Sequence, residues 1–105
     1  MEPRALEQAL LDVARRVGVD VRREPFDAGV PREALPRGGL CVLRGVRVIL
    51  VDATLTVVER TAVLTNALAG LPIDEIAMPP FVRERIELAK RRRVPPPRPK
   101  LRRVH

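Results

Sequence analysis

Residues 40–43 and 46–51 are apolar segments separated only by Arg44 and Gly45. A two-residue turn with glycine at its second position predicts a β-hairpin. The turn imposes the register Leu43 with Val46, Val42 with Arg47, Cys41 with Val48 and Leu40 with Ile49. Apolar side chains then lie on both faces of the hairpin, and Arg47 is the one charged residue among them. Because both faces need cover, we expect either that helices enclose the sheet or that a partner chain covers one side.

Three helices and one further strand are predicted around this hairpin. Residues 3–17 have an apolar stripe of helical spacing, with the charged residues off the stripe: Arg4, Glu7, Arg15 and Arg16. Residues 19–22 alternate like a short strand. Thr56 and Glu59 form a capping-box pattern that opens a second helix, and a third begins at Pro80. The sequence therefore predicts an α+β fold, in which about three helices pack on a small antiparallel sheet with the β-hairpin at its centre.

The charges divide the chain into a near-neutral domain over residues 1–89 and a basic, proline-rich tail over residues 90–105. The domain holds 12 basic and 13 acidic residues. The tail holds no acid, and its eight basic residues are Lys90, Arg91, Arg92, Arg93, Arg98, Lys100, Arg102 and Arg103. Such a tail can neutralise phosphates, so we expect it to contact RNA or DNA without reading sequence. It contains no aromatic residue to stack on bases, which argues against a dedicated single-strand platform. A solvated extension that aids solubility is the alternative.

The residue inventory excludes several classes of enzyme. The chain has no serine, one cysteine (Cys41) and one histidine (His105). A serine nucleophile is therefore impossible, and the four Cys/His ligands of a structural zinc site are not available. Carboxylate acid–base chemistry stays open, but we expect a non-enzymatic protein without a cofactor. The single cysteine, the abundant arginine and the absence of an apolar signal or membrane segment predict a cytoplasmic bacterial protein.

The order of predicted elements resembles the core of ImmA/IrrE-type zinc metallopeptidase-like domains, over about residues 40–85. In those domains, an apolar hairpin is followed by a helix of the pattern E-R-x-x-x-x-A-H-E-x-x-H. A short L-M-P element comes later in the sequence. Glu59-Arg60 would begin the matching helix, and Met78-Pro79-Pro80 would match the later element. The three functional positions of the zinc motif are here Asn66, Ala67 and Gly70. The resemblance thus implies a catalytically inactive, degenerate version that lacks the zinc site.

A second functional hypothesis concerns protein partners. If the chain's own helices leave one face of the hairpin bare, that face is expected to meet a protein partner or a second copy of the chain. The long proline- and glycine-containing connection over residues 25–39 is another element that a partner could contact. The sequence leaves this protein-interaction or dimerisation module as the alternative to nucleic-acid binding.

Overall fold

The computed structural model describes residues 2–25 and 38–92. In this part of the chain it contains three helices and three strands: α1 (Pro3–Arg16), β1 (Asp20–Glu24), β2 (Gly38–Leu43), β3 (Val46–Asp52), α2 (Val57–Ala69) and α3 (Pro80–Arg92). The predicted α+β class is confirmed. Most of the long connection between β1 and β2, residues 26–37, lies outside the described residues.

The hairpin forms two of the three strands of the described sheet, with β3 in the middle, and it has the predicted register. β2 pairs antiparallel with β3, with Leu43 opposite Val46, and both turn residues have positive φ, 52° at Arg44 and 81° at Gly45. β1 adds to the other edge of β3 and runs parallel to it, so the strand order is β1-β3-β2. The prediction of an antiparallel sheet therefore holds for the hairpin, whereas the complete sheet is mixed. A parallel neighbour needs a long crossover, which no local turn pattern specifies.

The helices pack in two layers on one face of the sheet. α2 contacts β2 and β3, α1 contacts β1 and α2, and α3 lies against α2 and α1. Ile49 and Val51 point towards the helices, while Val48 and Leu50 on the opposite face are also buried and contact Cys41. The most deeply buried side chains of the core are Leu10, Val13, Ile49, Val51, Leu64, Leu68, Ile73, Val82 and Ile86.

The connection between α2 and α3 is fixed by basic side chains that donate to its carbonyl groups. The Arg83 guanidinium donates through Nη2 to the carbonyl oxygen of Ile76 at 2.6 Å and to that of Ile73 at 3.3 Å. Arg16 of α1 donates to the carbonyl oxygen of Ala77. These bonds, together with the fully buried Ile73 side chain, set the position of α3 against α2.

Candidate polyanion-binding groove

An open groove of about 610 Å³ runs between α2 and α3, and we call it the α2–α3 groove. Its walls are formed by Ala62, Thr65 and Asn66 of α2 and by Arg85, Leu88, Ala89 and Arg92 of α3. The alanines leave room between the two helices.

Two arginines give the groove its charge. Arg85 and Arg92 are seven residues apart, which places them on one face of α3 and about 10 Å apart along the helix axis. Among the residues that the structure describes, no carboxylate lines the groove. Arg85 also lies over the ring of Phe81, with its Cζ atom 5.8 Å from the ring centroid. This cation–π contact helps to hold the side chain in place. The described lining of the groove offers no carboxylate to accept from the N–H groups of Arg85.

Three of the eight predicted binding residues are described, and they make up the last turn of α3. Arg91 and Arg92 are exposed. Lys90 has acidic neighbours, because its Nζ atom lies 3.7 Å from Asp74 and 3.8 Å from Glu87. Its charge is therefore partly matched within the chain. The other five predicted residues lie outside the described residues: Arg93, Arg98, Lys100, Arg102 and Arg103.

Arg85 is not among the binding residues that the sequence predicts. The prediction began at the acid-free run, whereas Arg85 has Glu84 and Glu87 close to it in the sequence. The signal that would have found it is helical periodicity, since positions 85 and 92 share one face of a helix. The same applies to Asn66 of α2, which reaches the groove only because α2 and α3 pack together.

The positions that match the zinc motif do not form a metal site. Asn66 is exposed and faces the groove, Ala67 is buried in the core, and Gly70 follows the last residue of α2. An amide, a methyl group and a glycine do not supply the histidine and carboxylate ligands that zinc requires. Within residues 2–25 and 38–92, no group of three or more His, Cys, Asp or Glu side chains is arranged to hold a metal ion.

Comparison of the sequence with protein-family models, curated proteins and solved structures gives no significant match. The resemblance to ImmA/IrrE-type domains therefore rests on the order of elements and on the quoted motifs. The helices of the described ranges are too short or too polar to cross a membrane. The function has to be inferred from the geometry and the charges of the chain itself.

Proposed function

We propose that this protein is a non-enzymatic, cytoplasmic nucleic-acid-binding protein of a bacterium, which holds the phosphate backbone along the α2–α3 groove and the basic residues that follow α3. One observation carries the proposal. Arg85 and Arg92 line an open groove in whose described walls there is no carboxylate. In the sequence, residues 93–105 follow α3 and contain five more basic residues and no acidic residue.

The chemistry of the groove suits phosphate. A guanidinium group presents several N–H donors in one plane and can bind two phosphate oxygens at once. The amide of Asn66 adds a neutral donor of the kind that contacts phosphate or sugar oxygens. Arg91 is exposed on the same helical turn as Arg92 and contributes further positive charge. Together these side chains can follow a backbone for about two turns of α3 before the rest of the basic residues begins.

The same residues favour binding without sequence recognition. Direct recognition of bases needs side chains that reach base edges, and single-strand platforms need exposed aromatic rings. Phe81 is the one aromatic residue in the described part of the chain, and Arg85 lies over its ring. We therefore expect affinity to depend on phosphate charge and on salt, and to vary little with base sequence.

The test measures binding of the full-length protein to a labelled DNA duplex and to a labelled RNA hairpin, by fluorescence anisotropy across a salt series. The double variant Arg85→Gln/Arg92→Gln is expected to lower the slope of log K against log salt by about 2, since each lost phosphate contact removes about 0.9. The matched control, Arg44→Gln/Arg47→Gln, removes two exposed charges from the hairpin and is expected to leave the slope unchanged.

Two outcomes would overturn the proposal. One is wild-type protein that binds neither nucleic acid at physiological salt. The other is equal loss of affinity in the groove variant and in the hairpin control, because net charge alone would then account for binding. Circular dichroism of each variant shows whether it keeps its helices.

A specific observation also favours self-association as a second candidate function. In the described sheet, β2 is an edge strand that contains neither proline nor a charged residue, the two features that usually protect such edges. Near its end, Val42 is 63% exposed, and Val46 across the turn is 55% exposed. A second copy could pair its own β2 antiparallel to this edge. That arrangement places the two Arg44 turns at opposite ends, so their charges do not meet.

This candidate is tested with the Val42→Lys variant, because a charged side chain near the edge opposes strand pairing. Sedimentation equilibrium is expected to show a concentration-dependent dimer for the wild type and a monomer for the variant. A wild-type protein that stays monomeric at high micromolar concentration would exclude self-association through this edge.

A further inference from the structure

A second basic opening, of about 350 Å³, lies where α1, β1 and the start of α2 meet. We call it the α1–β1 pocket. It is lined by Arg4, Glu7, Gln8, Arg23, Val57 and Arg60. None of these residues belongs to the α2–α3 groove.

The acidic member of the pocket is fully engaged by one arginine. Arg60 donates through Nε to Oε2 of Glu7 at 2.7 Å and through Nη2 to Oε1 at 3.2 Å, while its Nη1 donates to the carbonyl oxygen of Leu55 at 2.9 Å. Both side chains are nearly buried. The charges of Glu7 and Arg60 therefore cancel each other at the base of the pocket.

Arg4 and Arg23 add positive charge to the pocket that the Glu7–Arg60 pair does not compensate. Both are exposed, and within the described residues neither has an ion pair or a hydrogen bond from its side chain. Both lie close enough to Glu7 that their charges help to lower the pKa of its carboxyl group, after the hydrogen bond and the charge of Arg60. The described lining of the pocket thus contains three guanidinium groups and one carboxylate, which leaves two uncompensated positive charges among these residues.

The backbone adds to this positive character. α1 begins at Pro3, its N-cap residue Glu2 makes no capping hydrogen bond with its side chain, and its first turn contains no acidic residue. The N-terminal end of a helix carries partial positive charge and favours anions. Gln8, one turn further along α1, supplies a neutral amide donor to the pocket.

From these features we propose that the α1–β1 pocket binds the phosphoryl group of a small molecule, held between Arg4 and Arg23 and hydrogen-bonded by Gln8. A phosphate monoester carries close to two negative charges at neutral pH and therefore matches the uncompensated charge. The two exposed guanidinium groups approach it from α1 and from β1, so the bound anion would link the first helix to the edge strand of the sheet.

The test titrates inorganic phosphate, and separately pyrophosphate, into full-length protein at constant ionic strength, and follows backbone amide shifts by NMR. We expect saturable shifts at Arg4, Gln8 and Arg23, and a loss of affinity of about tenfold or more in Arg4→Gln/Arg23→Gln. The control Arg44→Gln/Arg47→Gln removes the same charge from the hairpin and should bind phosphate as the wild type does. Shifts that do not saturate, or equal weakening in both double variants, would refute the proposal.

A phosphate in this pocket could also belong to nucleic acid, and a second arm separates the two sources. If Arg4→Gln/Arg23→Gln weakens duplex binding as much as Arg85→Gln/Arg92→Gln does, the pocket is part of the nucleic-acid path and the small-molecule proposal is wrong. If duplex binding is unchanged while phosphate binding is lost, the proposal is supported. Failure of the wild type to bind any duplex would overturn the proposed function and leave the phosphate titration as an independent result.

Discussion

The Glu7–Arg60 ion pair joins α1 to the first turn of α2 across 53 residues of sequence. Only 9% of the Glu7 side chain and 14% of the Arg60 side chain is exposed, so both charges have lost most of their hydration. Such a pair is stable because two parallel hydrogen bonds and one bond to a backbone carbonyl replace the lost water. Removing one partner should therefore cost far more than breaking an exposed ion pair.

The Glu7→Gln variant tests this at the scale of single residues. We expect the free energy of unfolding at neutral pH to fall by about 3 kcal/mol, because the Arg60 charge stays in a nearly buried site without its counter-ion. The control is Asp12→Asn, which breaks the exposed contacts of Asp12 with Arg15 and Arg16 and should cost less than about 1 kcal/mol. Urea denaturation measures both. Equal losses would mean that the buried pair contributes no more than a surface pair.

The difference between wild type and Glu7→Gln should also depend on pH. The hydrogen bond and the charge of Arg60 hold the pKa of Glu7 below its ordinary value of 4.5 in the folded protein. The ionised carboxylate therefore stabilises the fold above the unfolded-state pKa, and this contribution is lost as the pH falls through the lower folded-state pKa. We expect a constant difference above about pH 5.5 and a shrinking one below about pH 4.5. If the stability difference between wild type and Glu7→Gln does not change with pH, Glu7 does not stabilise the fold as an ionised partner of Arg60.

A substitution in the hairpin turn is expected to increase stability. Arg44 has a φ of 52°, a left-handed conformation that Asn tolerates better than residues with long side chains. The Arg44→Asn variant should raise the free energy of unfolding by about 0.5 kcal/mol, because Asn-Gly is the preferred pair for this type of turn. Gly45→Ala, at a φ of 81°, should lower it. Both are measured by thermal unfolding, and a destabilised Arg44→Asn protein would contradict the assigned turn.

At the scale of elements, α2 begins with a complete capping box. The Thr56 hydroxyl accepts from the Glu59 backbone N–H at 3.2 Å, and the Glu59 carboxylate accepts from the Thr56 N–H at 2.9 Å. Thr56→Ala removes the first bond and should cost about 1 kcal/mol of stability. Thr56→Ser keeps a hydroxyl cap and should stay within about 0.5 kcal/mol of the wild type. Similar losses in the two variants would show that the threonine methyl group, and not the cap, stabilises the helix start.

The elements that the sequence predicts well are those fixed by neighbouring residues. The hairpin register follows from a two-residue turn, and the bounds of α2 follow from its cap and from Gly70. Helical periodicity placed Glu7 off the apolar stripe of α1 and did not indicate that the structure would bury it. The burial could not be predicted from α1 alone, because the partner, Arg60, comes from a distant segment. The α2–α3 groove was beyond sequence analysis for the same reason, since it combines single residues from two helices.

At the scale of the whole molecule, the described hydrophobic core and the run of basic residues occupy different parts of the sequence. The buried side chains of the described core come from residues 6–86, and the surplus of basic residues begins at Lys90. Lys90 is the link between the two, because it contacts Asp74 and Glu87 while the residues after it in α3 are exposed. Substitutions beyond α3 should therefore change binding and not folding.

A variant that replaces four distal basic residues, Arg98→Gln/Lys100→Gln/Arg102→Gln/Arg103→Gln, tests this separation. Its free energy of unfolding should stay within about 0.5 kcal/mol of the wild type, because the buried side chains of the described core come from residues 6–86. Its salt slope for duplex binding should fall by between about 3 and 4, from about 0.9 for each lost phosphate contact. If the slope is unchanged, the groove alone binds the backbone and the distal residues do not. If stability falls by several kcal/mol, these residues support the fold itself, and the division into a neutral domain and a basic binding tail is wrong.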